Sequence, residues 1–179
     1  MQYRRTISPG SAFFFTVVTF ERRRLFAQEP AVCLLRQAFR SVIIRHPCKI
    51  EAAVILPDHL HMIWRMPEDD SEYPTRWRLI KGYFTHHWEG RDDDPIPASR
   101  QRKGERSVWQ RRYWEHMIRD EEDWRRHVDY IHYNPVKHGL AGSAREWNYS
   151  SFGRLVKMGL YAEDWGGSEG VLVVDERME

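Results

Sequence analysis

Apolar positions along the 179-residue chain change their period several times, and each change marks an element. Residues 12–20 run Ala-Phe-Phe-Phe-Thr-Val-Val-Thr-Phe, a β-branched and aromatic stretch that suits a buried strand better than a helix. Across 30–46 apolar groups return at Val32, Leu35, Phe39, Val42 and Ile43 behind Pro30, which predicts a helix with arginines on its outer face. Two further apolar runs, 50–56 and 60–66, flank Pro57 and Asp58 and predict a tight hairpin. A second helix is predicted over 73–89. Residues 90–106 carry an aspartate run, prolines and basic groups without period, and read as an exposed loop. Residues 108–118 resemble another strand, and Asp120, Glu121, Glu122 and Asp123 suit the positive end of a following helix. That helix is expected to stop near Asn134 and Pro135, with Gly139 as the turn and a wrapping tail from Leu140 onward. No internal repeat is found. The order β, α, β, β, α, β, α predicts an α+β protein of the ferredoxin-like split βαβ type: one antiparallel sheet, helices packed on one face, and a C-terminal tail. Such a fold alone implies no chemistry.

Composition adds bounds. A hydrophobic content of 41% in 179 residues supports one core, read here as a domain over 1–140 and an extension over 141–179. Cys33 and Cys48 form no paired framework, the N-terminus has no signal-peptide pattern, and no apolar run approaches the ~20 residues of a bilayer span. A soluble, cytoplasmic protein with no membrane partner is expected. Net charge is only +2, yet residues 1–50 carry nine Lys/Arg against two acids and residues 160–179 one Arg against six acids. A basic first third with Arg22, Arg23 and Arg24 in a row suits a phosphate backbone, and arginines interleaved with aromatics suit unstacked bases.

Candidate chemistry begins in the second hairpin strand. Alternate strand residues share a side, so His59 and His61 project together while Leu60 and Met62 enter the opposite layer. Two imidazoles on one sheet face can hold one metal ion; taken alone, such a pair is more often merely hydrogen-bonded. A third ligand must come from elsewhere, and the helix carrying Tyr130 and Asn134 offers one. At about 3.6 residues per turn these two stack on one helix face, whereas Tyr133 points about 100° away from Asn134.

His59-Leu60-His61 is similar to the HUH motif, and Tyr130 with Asn134 four positions later resembles the nucleophile and third metal ligand of single-tyrosine HUH transposases. Trp109-Gln110-Arg111-Arg112-Tyr113-Trp114-Glu115-His116, together with the run from Val128 through Asn134-Pro135-Val136-Lys137-His138-Gly139, resembles the REP-associated tyrosine transposases of bacterial chromosomes. The resemblance spans Tyr3 to Trp165. It implies a catalytic domain over 1–140 and a metal-dependent single-stranded DNA endonuclease and strand-transferase. Such an enzyme acts at palindromic repeat hairpins, cuts beside a short single-stranded tetranucleotide, and stores the bond as a 5′-phosphotyrosine. It further implies Tyr130 as nucleophile, His59, His61 and Asn134 as ligands of Mg²⁺ or Mn²⁺, and a cytoplasmic, nucleoid-associated monomer. The DNA-binding candidates are Tyr3, Arg4, Arg5, Arg22, Arg23 and Arg24 for the duplex, and Trp109, Arg111 and Arg112 near the unpaired flank. His127, three positions before Tyr130, is an accessory candidate. Two other readings remain at this stage: a noncatalytic hairpin-binding protein on the same fold, and a metallohydrolase whose nucleophile is water.

Overall fold

A computed structural model of the chain describes residues 10–90, 97–104 and 106–167. Its elements are β1 (Ala12–Val18), α1 (Glu29–Ile43), β2 (Lys49–Ile55), β3 (His59–Arg65), α2 (Tyr73–His87), the short α3 (Ala98–Gln101), β4 (Trp114–Met117), α4 (Glu121–Lys137) and α5 (Phe152–Lys157). The four strands form one sheet in the order β2-β3-β1-β4, with every neighbouring pair antiparallel, which is the expected split βαβ arrangement. No described helix is long and apolar enough to cross a membrane.

Alternation along the strands divides the core into two layers. Phe13, Phe15 and Val17 of β1 and Leu60, Met62 and Trp64 of β3 pack with α1 and α2 on one face. Ala12 and Phe14, with Ala52, Val54 and Ile63, pack on the other face against Val128, Tyr130 and Ile131 of α4. The expectation of helices on one face is therefore corrected: α1 and α2 share a face, and α4 covers the opposite one. Both faces of β1 are apolar (Phe13, Phe14 and Phe15 are each at most 1% exposed), and a strand so buried needs cover on both sides.

Three boundaries also differ from expectation. The predicted strand over 108–118 narrows to β4. Trp109 does bridge Thr19, but Thr16 pairs with Trp114, so five steps of this segment oppose three of β1 and the chain bulges outward over 110–113. Within the predicted loop over 90–106, α3 forms a single helical turn. Finally, α4 runs through Asn134 and Pro135 instead of stopping there. A proline this near a helix end forfeits only its own bond to the carbonyl four residues back, and the final turn is still held by the His138 amide donating to the Asn134 carbonyl at 3.0 Å. Gly139, at φ +64°, then closes the helix while the Leu140 amide returns to the Pro135 carbonyl at 2.8 Å.

The segment after α4 pairs with the edge strand. Ile55 donates to the Tyr149 carbonyl and Ser151 to the Ala53 carbonyl, both at 2.8 Å, which satisfies backbone groups that β2 would otherwise expose. Ser151 Oγ meets His132 Nε2 at 2.8 Å, and Tyr161 donates to Asp129 at 2.6 Å, so the segment grips the outer side of α4. Burial lowers the His132 pKa from 6.5 to about 3, with the Arg154 charge adding to the effect and a backbone hydrogen bond opposing it. The sign follows directly. The unfolded chain binds this proton more readily, so stability is full above pH 6.5 and drains as pH falls toward 3. Urea unfolding is expected to show a loss of about 2 kcal/mol between pH 7 and pH 5 from this group alone. A His132→Gln variant with an undiminished slope would contradict that assignment.

Candidate active site

The β2–β3 turn and the second strand bring His59 and His61 to the α4 side of the sheet, with ring centroids 4.8 Å apart and both side chains buried. Each imidazole has one nitrogen already engaged. His59 Nδ1 donates to Asp58 Oδ1 at 2.6 Å, and His61 Nδ1 meets the Thr16 hydroxyl at 2.9 Å. The Asp58 carboxylate can only accept when ionised, which places the His59 proton on Nδ1, whereas the Thr16 hydroxyl can donate to or accept from His61; in both rings Nε2 is the nitrogen not engaged by these bonds. His61 is held neutral: burial pushes its pKa well below 6.5, and the charges of His59, His138, Lys137 and Arg22 act in the same direction. Asp58 stays ionised. Burial alone would raise its pKa, but hydrogen bonds and charge from His59 and Arg22 hold it below the usual carboxylate range.

Facing the pair, α4 and its C-cap residue present three successive turns of one helix face. The Tyr130 ring lies 5.1 Å from His61, and the His138 ring lies 5.6 Å from His59. Asn134 stands midway between them along the helix, one turn from each, fully buried. His61 Nε2 and both amide atoms of Asn134 are buried with no hydrogen-bond partner among the described residues. Buried polar atoms in this condition cost roughly 1–3 kcal/mol each, and proteins retain them where a ligand supplies the missing partner. Two imidazole nitrogens and an amide oxygen form a donor set suited to a divalent cation. Lys137 adds a cation 5.4 Å from the centre of the Tyr130 ring. Tyr133 sits on a different side of α4, where a side chain on Gly166 would approach its ring to 3.7 Å.

A cleft of about 340 Å³ opens beside the histidines, lined by Thr16, Val18, Arg22, His59, His61, Gln110, Arg112, Tyr113 and Trp114. The bulge over 110–113 forms its far wall. Arg22 reaches the mouth from a strained turn in which Glu21 and Arg22 both have φ near +52°, a backbone region costing of order 1–3 kcal/mol for such residues. Its guanidinium lies 3.4 Å from Asp58.

Comparison with known proteins decides the family. No family model matches the chain. A REP-associated tyrosine transposase of Escherichia coli strain K12 is 41% identical over 93% of this chain and 91% of its own length. A relative from Haemophilus influenzae, named for the same family, is 40% identical over 93% of both chains. The chain belongs to the REP-associated tyrosine transposases. In solved form, a REP-associated tyrosine transposase bound to a REP hairpin matches with a TM-score of 0.78 at 39% identity, covering 100% of this chain and 99% of that one.

Not every candidate residue gathers at this transposase site. Arg22 and Arg112 line the cleft, and Arg24 and Arg111 are exposed beyond it. Arg23 is half-buried and donates to the Ser107 carbonyl at 3.4 Å. Trp109, expected near the unpaired flank, is instead a core residue at 5% exposure, packed on Phe26 and Phe84. Tyr3, Arg4 and Arg5 lie outside the described residues. His127 is buried, stacked on His116 with the Phe14 ring tilted against it, and donates from Nδ1 to the Asp123 carbonyl at 2.7 Å. Its ligand atom lies with those of His116 and Asp123, all within 4.8 Å of one another. Asp123 in this cluster is already committed: His116 and Arg119 bond its carboxylate, and although burial favours the neutral acid, they hold its pKa far below the usual range. The cluster fastens β4 to the start of α4. As site residues, Asp58, Thr16 and His138 carry little signal in the sequence: Asp58 stands directly before His59, and His138 falls within the run that ends at Gly139.

Proposed function

We propose that this transposase is a metal-dependent single-stranded DNA endonuclease and strand-transferase that acts at palindromic, REP-like hairpins through a phosphotyrosine at Tyr130. The observation that carries the reading is the facing of His61 by Tyr130 and of His59 by His138, with the unsatisfied amide of Asn134 between them. His59 Nε2, His61 Nε2 and Asn134 Oδ1 would hold the cation. When bound, a divalent ion supplies charge neutralisation at a nonbridging oxygen of the scissile phosphate. Its identity is Mg²⁺ or Mn²⁺, and the nitrogen-rich donor set favours Mn²⁺.

The chain's own groups do the rest. Tyr130, packed against Phe14 and His61 with the Lys137 ammonium 5.4 Å from its ring centre, would present its hydroxyl to phosphorus. The phenolic proton passes to solvent, the tyrosine O–P bond forms, and the P–O3′ bond breaks. The departing oxygen takes up a proton as a free 3′-hydroxyl. Arg22 and Arg112 line the path of the strand, where their charge offsets the phosphates. Because the ester energy is kept in the tyrosine link, an incoming 3′-end can reverse the step without ATP. The relative solved with a REP hairpin supports a hairpin as substrate.

Incubation with a labelled hairpin carrying a single-stranded flank, in Mn²⁺ or Mg²⁺, is expected to give a denaturation-stable protein–DNA adduct that chelation prevents. No adduct across a panel of palindromic hairpins, in either metal, would contradict the proposal and leave a noncatalytic hairpin binder.

A further inference from the structure

Three large hydrophobic residues are markedly exposed among the described residues, and one of them, Trp114 at 43%, borders the cleft beside the candidate active site. Its exposure is not the accident of a loose side chain. The indole lies in register opposite Thr16, on the sheet side that carries His61, because Thr16 both pairs with Trp114 and bonds His61. The His116 ring lies parallel to it, 5.9 Å away at 4°, and His127 stacks on His116 at 4.8 Å and 13°. Asp123 pins this ladder from below, accepting from His116 Nε2 at 2.8 Å, and Phe14 meets the indole at 71°. A tryptophan braced on one side and open to a cleft on the other is a preorganised flat surface, and its ordering cost is met before any ligand arrives.

The cleft beyond it tells what would lie there. Arg22 and Arg112 supply positive charge, Gln110 supplies an amide donor and acceptor, and the histidine pair lines the same cleft. A flat apolar platform flanked by cations and one amide matches an unpaired nucleobase with its phosphates, since bases stack on aromatic faces while arginines follow the backbone. We infer that Trp114 is the stacking platform for one base of the single-stranded flank next to the scissile phosphate, with Gln110 and Arg112 contacting that nucleotide's edge and phosphate. This rests on the proposed hairpin substrate and adds a residue that selects the flank, not the stem.

The test compares affinities in chelator, so that no cleavage intervenes, for a hairpin with its flank and for the same hairpin without it. Trp114→Ala is expected to weaken the flanked hairpin about tenfold or more and leave the bare stem unchanged, while Trp114→Tyr recovers most of the loss. Abasic substitution walked along the flank should find one position that weakens the parent protein but not Trp114→Ala. Unchanged binding of the bare stem also reports that the variant is folded. Equal loss on both DNAs, or abasic penalties that simply add to that of Trp114→Ala at every position, would overturn the inference while sparing the hairpin reading. If the parent protein binds no hairpin at all, both fall.

Discussion

Tyr130→Phe is expected to abolish the covalent adduct and to lower strand cleavage by about a thousandfold or more, while hairpin affinity stays within about twofold of the parent protein. The expectation follows from where the hydroxyl sits. The ring contacts with His61 and Phe14 are hydrophobic and aromatic and survive the substitution, so the site keeps its shape. What disappears is the single oxygen proposed to attack phosphorus. The change in folding stability should be small, at most about 1–2 kcal/mol for one lost hydroxyl. Cleavage retained at the parent rate would mean that water, not tyrosine, is the nucleophile, and gel assays on labelled DNA separate the two outcomes within one experiment.

The second large effect separates stability from function at Asn134. Its amide is fully buried with neither atom hydrogen-bonded among the described residues. Asn134→Leu keeps the number and branching of side-chain heavy atoms and removes the unsatisfied groups, and the space its larger methyl groups need is the space proposed for the cation. Metal-free protein is therefore expected to gain about 1 kcal/mol of stability, read from urea unfolding, while metal-dependent cleavage falls at least a hundredfold. The stabilising shift in Tm expected of Mn²⁺ with the parent protein should be absent from this variant, because a ligand stabilises only the state that binds it. A variant that is several kcal/mol less stable, or that still responds to Mn²⁺ as the parent does, would show that Asn134 serves the fold and not a cation. This opposition of stability and activity is the expected mark of polar atoms kept unsatisfied for a ligand.

Much of this arrangement was legible in the chain itself. Period-two alternation set His59 and His61 on one face with Leu60 and Met62 on the other, and that division holds in the two core layers. Helical spacing put Tyr130 and Asn134 on a common face, and both are buried toward the sheet. What could not be read was tertiary. The triplet Phe13-Phe14-Phe15 says that both faces of β1 are covered, yet not by which helix, so the position of α4 opposite α1 and α2 was missed. Local propensity misjudged Pro135, because a proline's effect on a helix depends on how many turns remain after it and on whether a glycine such as Gly139 stands ready to close them. Trp109 and Trp114 look alike in sequence, five residues apart in one aromatic and basic run. The bulge between them buries the first in the α2 layer and leaves the second at the cleft, a difference set by register with β1 that no local pattern encodes.

On the proposed mechanism Tyr130, and no neighbouring tyrosine, takes up the DNA beside a cation held by His59, His61 and Asn134. Peptide mapping of the trapped adduct by mass spectrometry tests it most directly, since α4 carries a second tyrosine, Tyr133, that points elsewhere. Protein incubated with flanked hairpin and Mn²⁺ should yield one modified peptide with the nucleotide mass on Tyr130, and none after chelation. A nucleotide found on Tyr133, or cleaved DNA with every tyrosine unmodified, would contradict the account.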